Sequence, residues 1–185
     1  MHLLNPKEWV KQYSNTLFRY SIVRINDREI AKDLVQDTFL SALKNVENFR
    51  GEISEKNWLF TILKNKIIDH YRKKASSLIS EIDEMMEEID GFYGENRHWD
   101  DAHKPKDWGV NYDSSVETKE FYEILNKCLG KLSELMRIVF SMKYLDEKES
   151  DEICKELSIT SSNYWVVMHR AKLQLRTCIE KKWLN

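Results

Sequence analysis

NFRGEISEKNWLFTILKNKIIDHYRKK, residues 48–74, opens as a loop around Gly51 and runs into a stretch that ends in Arg72, Lys73 and Lys74. Leu59, Phe60, Leu63, Ile67 and Tyr71 recur at the helical period and predict an apolar stripe turned to a core. Trp58, Thr61, Asn65, Asp69 and Arg72, spaced by threes and fours, predict a second row on another side of the same helix. Rings stack on bases, amides bond base edges and cations meet phosphates, so such a row has the composition of a base-contacting surface. Taken alone, the same residues also fit a packed Trp58 and a basic helix end that only complements the helix dipole.

Working outward, the 185-residue chain holds only five glycines and two prolines while 32% of its residues are charged. Such scarcity of turn residues, with few period-two runs, predicts an all-α protein with room for one or two domains. No apolar run is long enough to span a bilayer, and the opening MHLLNPKEW lacks a signal-peptide core, so no membrane insertion and a soluble, cytoplasmic chain are expected. Cys128, Cys154 and Cys178 show no CxxC spacing and fall on or near apolar stripes; they are expected to be buried, inert thiols. The net charge of −2 conceals an asymmetry. Residues 1–74 carry 14 Lys+Arg against 9 Asp+Glu, residues 75–117 carry 3 against 12, and residues 118–185 carry 12 against 10.

Before the opening stretch, a helix is expected over residues 7–24. A second is expected over residues 27–45, with Asn26 as N-cap and Glu29 in capping-box position. Ala31, Val35, Thr38, Phe39, Ala42 and Val46 make its buried side; Asp33, Gln36, Asp37, Leu40 and Lys44 make its outer side. Leu40 is an apolar residue in a polar row, a feature of partner surfaces. After residue 74 the periodicity dissolves into an acidic segment, residues 75–115, expected to be mostly disordered with a short amphipathic helix near residues 78–89. His98 and His103 in it lack companions at metal-ligand spacing and are expected to be solvated.

Helical periodicity returns at Val116. A stripe of Phe121, Ile124, Leu125 and Cys128 ends at Gly130; Ser133 caps a helix with Leu135, Ile138, Val139, Met142 and Tyr144 as its apolar positions. A short helix follows over residues 150–157 with Ser150 as N-cap, then a turn, Ser158-Ile159-Thr160, and a long helix over residues 161–182. Short helix, three-residue turn and long helix is the layout of a helix-turn-helix unit. Opposite its expected core stripe lie Ser162, Trp165, Val166, His169, Arg170, Leu173 and Arg176. Ser162 and Asn163 at the helix start, with His169 and Arg170, have the chemistry to reach bases and phosphates in a major groove. Trp165, Val166 and Leu173 fit a protein-binding face equally. On the residues alone a nucleic-acid-binding protein, such as a dimeric helix-turn-helix regulator, and a helical protein-binding adaptor both stay open. No Gly-rich phosphate loop, zinc ligand set or nucleophile–base pair is visible, so no enzyme, metal or cofactor is expected.

With both constellations placed, the chain resembles the extracytoplasmic-function sigma factors of bacterial RNA polymerase. DLVQDTFLSALKNVENFRG and WLFTILKNKIIDHYRKK are similar to their region 2, and LSELMRIVFSMKYLDEKESDEICKELSITSSNYWVVMHRAKLQLR to their region 4. The resemblance implies a region 2 domain over residues 1–74, an acidic linker over 75–115 that threads a positively charged polymerase channel, and a region 4 domain over 116–185. It implies contact of Asp33, Gln36, Asp37, Leu40 and Lys44 with core RNA polymerase. It implies recognition and melting of the minus-ten promoter element, with capture of the non-template strand, by Phe49, Arg50, Trp58, Thr61, Asn65, Asp69, Arg72, Lys73 and Lys74. Ser162, Asn163, Trp165, Val166, His169, Arg170 and Arg176 would read the duplex minus-thirty-five element. Trp165, Val166 and Val167 depart from the small or basic run found in many members, so promoter sequence does not transfer. An anti-sigma factor is an expected partner.

Overall fold

The computed structural model describes residues 4–78, 107–111 and 113–184. Those residues form α-helices joined by short turns, with no strand among them. In chain order the helices are α1 (Trp9–Ile25), α2 (Arg28–Lys44), α3 (Glu55–Leu78), α4 (Ser115–Leu129), α5 (Glu134–Tyr144), α6 (Ser150–Leu157) and α7 (Ser161–Trp183). The chain divides into two compact units, Met1–Lys73 and Lys74–Asn185. The expected helix near residues 78–89, His98 and His103 lie outside the described residues, as does most of the expected linker. At the linker's edges, residues 75–78 continue α3, and the Trp108 ring lies 6.0 Å from that of Phe121.

In the N-terminal unit, α1 and α2 form a tight antiparallel pair joined by two residues. Asn26, not a capping residue of α2 as expected, closes α1 in a left-handed conformation (φ 56°), which asparagine tolerates better than most side chains. Asp27 takes the capping role: its carboxylate accepts from the backbone N–H groups of Glu29 and Ile30. The buried face of α3 carries most of the predicted stripe: Leu59, Leu63, Ile67 and Tyr71 are essentially inaccessible, whereas Phe60 is half-buried with its ring 5.3 Å from that of Tyr20. Tyr71 also donates its hydroxyl to the Arg24 carbonyl at 3.1 Å, tying the C-terminal part of α3 to the end of α1. The other end is tied by Glu55 in the first turn of α3. Its carboxylate accepts from the Asn5 backbone N–H (2.7 Å), the Trp9 indole N–H and the Tyr13 hydroxyl (3.3 Å). Burial, followed by the nearby Glu55 charge, pushes the Tyr13 phenol above its ordinary range, so it stays a donor.

In the C-terminal unit, α7 packs on α4, α5 and α6. The buried set includes Phe121, Leu135, Met136, Ile138, Val139, Met142, Ile153, Leu157, Ile159, Tyr164, Val167, Met168 and Ala171. Tyr144, expected in this core, instead sits exposed at the last residue of α5. Glu149, not Ser150, caps α6, completing a reciprocal capping box with Glu152. Ser158 adopts a left-handed turn (φ 57°), and Thr160 caps α7 by accepting from the Asn163 N–H at 3.1 Å. The expectation of three inert thiols is overturned: Cys128 of α4 and Cys178 of α7 are joined as a disulfide, and only Cys154 is free. The packing of α4 on α7 brings their Cα atoms to 5.8 Å, within bonding range. The bridge links positions 50 residues apart; a loop of that size, once closed, loses denatured-chain entropy worth about 4 kcal/mol in the chain-entropy account. Among the described residues, no helix is long and apolar enough to cross a membrane.

Glu55→Ala leaves three donors without their shared acceptor and should destabilise the N-terminal unit by about 2 kcal/mol. Urea unfolding followed by tryptophan fluorescence measures it, and Glu55→Gln should retain part of the loss.

Candidate nucleic-acid interface

In the N-terminal unit the chain leaves α2 through a short 3-10 turn, Val46–Asn48, and reaches α3 by way of Phe49, Arg50 and Gly51. Gly51 adopts φ +72°, with open space where a Cβ would stand. The glycine is needed here for its backbone conformation, and not for room. The Phe49 ring lies 5.0 Å from the Trp58 ring, and on the other side Trp9 meets Trp58 edge-on at 6.0 Å. Trp58 is therefore a half-buried ring held between two aromatics, and it lines an open cleft at the same time. The cleft, of about 380 Å³, runs between the end of α2 and the outer face of α3 and includes Asn45, Asn48, Asn65, Lys66 and Asp69.

Thr61, Asn65, Asp69, Arg72 and Lys73 are exposed, as expected, and Lys74 is half-buried. Asp69 is occupied by Arg72 in an ion pair of 3.1 Å along the helix, an exposed contact worth little in stability. It does, however, orient the guanidinium at the cleft's far end. Sequence reasoning does not single out Asn45 and Asn48. The Asn48 amide donates to the Asn45 side-chain oxygen at 3.2 Å, and the Asn45 amide donates to the Ser41 carbonyl at 2.8 Å. Two asparagines three apart at a helix end, just before an aromatic residue, are the sequence signal for this wall. On α2, Asp33, Gln36, Asp37, Leu40 and Lys44 all lie exposed on one side, and Leu40 is 56% accessible. Leu43, also exposed, adds an apolar residue beside them.

In the C-terminal unit the helix-turn-helix presents Ser162 and Trp165 fully outward, and Trp165 is 60% accessible. Asn163, Val166 and His169 are half-buried. Burial, and then the charge of Lys172, hold the His169 imidazole below the usual histidine range. At neutral pH this ring offers hydrogen bonds and little charge. Three expected outward residues are not outward. Arg170 is only 6% accessible and Leu173 is buried. At about 100° per residue, Arg170 lies about 140° round α7 from Trp165, and its side chain reaches a cleft beside Cys128 and Leu132. Arg176 is mostly covered as well, with its guanidinium 3.6 Å from the Glu180 carboxylate. The exposed cation of this face is Lys172, seven residues beyond Trp165 and three beyond His169. Its spacing from Trp165 would have found it; the greater donor capacity of Arg170 draws attention away from it.

Arg170→Ala should lower the stability of the C-terminal unit by about 1–3 kcal/mol, as expected for truncating a buried side chain. Lys172→Ala should change stability by less than about 0.5 kcal/mol. Thermal unfolding of the two variants separates a packing role from a surface role.

Comparison with known proteins gives the family. The family descriptions "Sigma-70 region 2" and "Sigma-70, region 4" match residues 9–77 and 122–175. A protein of Haemophilus influenzae named as a probable RNA polymerase sigma factor is 35% identical over 98% of this chain and 93% of its own length. RNA polymerase sigma factor YlaC of Bacillus subtilis is 28% identical over 97% of this chain and 95% of its own. A solved structure of the sigma factor RpoE with the anti-sigma factor NepR, from Bartonella quintana, covers 94% of this chain and 96% of that chain at 20% identity, with a TM-score of 0.44. With both promoter-recognition regions matched in order and a relative alike from end to end, the chain belongs to the RNA polymerase sigma factors of the extracytoplasmic-function type, subunits that bind core polymerase, recognise promoter DNA and start transcription.

Proposed function

We propose that the cleft between α2 and α3 is where this sigma factor captures an unstacked base of the minus-ten element. The observation that carries the reading is the juxtaposition of a half-buried aromatic pair, Phe49 and Trp58, with the side-chain amides of Asn45, Asn48 and Asn65. Unpairing a base costs a few kcal/mol. One aromatic contact returns about 1–3 kcal/mol, so stacking alone does not cover the cost, and amide bonds to the base edge must add to it. Strand opening and base choice are thereby coupled at one surface. Arg50, Arg72, Lys73 and Lys74 would hold the sugar-phosphate strand on either side, and Thr61 and Asp69 would border its path.

The exposed row on α2, Asp33, Gln36, Asp37, Leu40 and Lys44, is proposed to dock on core polymerase. Ser162, Asn163, Trp165, Val166 and His169 are proposed to face the minus-thirty-five duplex. Arg170 and Arg176 are replaced by Lys172 as the cation for its phosphates, because burial removes the former from reach. The domain bounds are proposed as 1–74, 75–115 and 116–185, with the acidic segment kept from DNA by its own charge. The chain is proposed to be a cytoplasmic specificity subunit without catalysis of its own, the polymerase performing the chemistry. An anti-sigma partner is proposed on the habit of the family alone.

In transcription with core polymerase, Asn65→Ala should slow open-complex formation about tenfold, the equivalent of one lost hydrogen bond in a desolvated site, while leaving minus-thirty-five duplex binding unchanged. Trp58→Phe keeps the packing between Trp9 and Phe49 and should lose less than Asn65→Ala. A chain that binds duplex promoter tightly but never binds core polymerase would sink the reading. Without polymerase, binding to promoter DNA should be weak and fall steeply with salt, as measured by fluorescence anisotropy.

A further inference from the structure

The disulfide is unused by anything derived above. Cys128 is 1% accessible and Cys178 is half-buried, and both border a cleft of about 280 Å³ at the C-terminal end of the α4–α7 contact. The charged residues that line the cleft are Lys131, Arg170, Lys181 and Lys182, with no carboxylate among its lining residues. The third thiol, Cys154, is on α6 and takes no part in the lining. Exchange at this bond therefore calls for a thiol from outside the chain.

We propose that the Cys128–Cys178 bond is a reversible thiol–disulfide exchange site, and that its cationic cleft selects a low-molecular-weight thiol bearing carboxylates. In a reducing compartment such bonds are transient and respond to oxidant. An incoming thiolate attacks Sγ of Cys178, the more accessible sulfur, forming a mixed disulfide and breaking the bond to Cys128. The Cys128 thiolate leaves beside the cleft cations and takes a proton from water. A second thiolate attacks the outer sulfur of the mixed disulfide, which releases the external disulfide and the Cys178 thiolate, itself then protonated. The protein bond is reduced by two electrons, and two external thiols are oxidised to one disulfide; the external disulfide drives the reverse. The bridge ties Cys178, in the last turns of α7, to α4, while α7 also packs on α5 and α6. Opening it loosens the last turns of α7, and any effect on duplex reading rests on the helix-turn-helix assignment made above.

The exchange is tested without DNA or polymerase, so its failure is distinct from failure of that assignment. The full chain is oxidised with glutathione disulfide and its free thiols are counted; one is expected, and three would overturn the proposal. Opening is then timed with glutathione, 2-mercaptoethanol and cysteamine at equal thiolate concentration. Glutathione should be about tenfold faster than cysteamine at low ionic strength, with the gap closing at high salt. Lys181→Glu combined with Lys182→Glu should erase the preference while the bond still forms. Rates indifferent to thiol charge would sink the selectivity. Amide hydrogen exchange over residues 173–183 should quicken on opening, and unchanged exchange would refute the anchoring role.

Discussion

The N-terminal unit depends on one helix whose two faces answer to different demands. The inner face of α3 is committed to a dry contact: Leu59, Leu63, Ile67 and Tyr71 are removed from water. Each such side chain contributes on the order of 1.5–3 kcal/mol when fully buried, so the rotation of α3 about its axis is strongly determined. Once that rotation is set, Thr61, Asn65, Asp69 and Arg72 have only one direction left to point. The exposed polar row of α3 is in this sense a by-product of core packing.

Polar contacts at the two ends of α3 add what apolar burial lacks, namely register. Apolar packing is forgiving of a slide along the helix axis, whereas a hydrogen bond is not. The Glu55 carboxylate gathers donors from Asn5, Trp9 and Tyr13, and the Tyr71 hydroxyl reaches the Arg24 carbonyl. These contacts hold the start of α3 beside the start of α1 and its later part beside the end of α1. Trp58, one turn on from Glu55, is thereby placed between Trp9 and Phe49. The loop that carries Phe49 is steadied by that ring contact at one side and by the left-handed Gly51 at the other. A cleft built this way is largely preorganised, which would spare the protein an ordering cost in the base capture proposed for it.

The C-terminal unit solves the same problem by different means. Its turn is tightened by the left-handed Ser158 and the Thr160 cap, so α6 and α7 meet at an angle set by local chemistry. The remainder of α7 is held by packing and by a covalent bond to α4. The exposed Trp165 and half-buried Val166 make its outer face less basic than phosphate affinity alone would favour.

The amino-acid order by itself determined the helices, the stripe that α3 buries, the helix-turn-helix layout and the exposed row on α2. All of these rest on the helical period, on scarce glycine and proline, and on short-range capping chemistry. Capping was legible only to within a residue: Asn26 and Asp27 compete for one role, as do Glu149 and Ser150, and the backbone conformation between the helices chooses. Arg170 and Lys172 mark the limit of periodicity. Both are cations near the middle of α7, and which of them meets solvent depends on where α4 and its following turn lie, far away in sequence. Asn45 and Asn48 become cleft residues only because α3 folds back against the end of α2. The pairing of Cys128 with Cys178 was decided by tertiary structure alone, since no local spacing reports that two apolar stripes 50 residues apart will bring two sulfurs together.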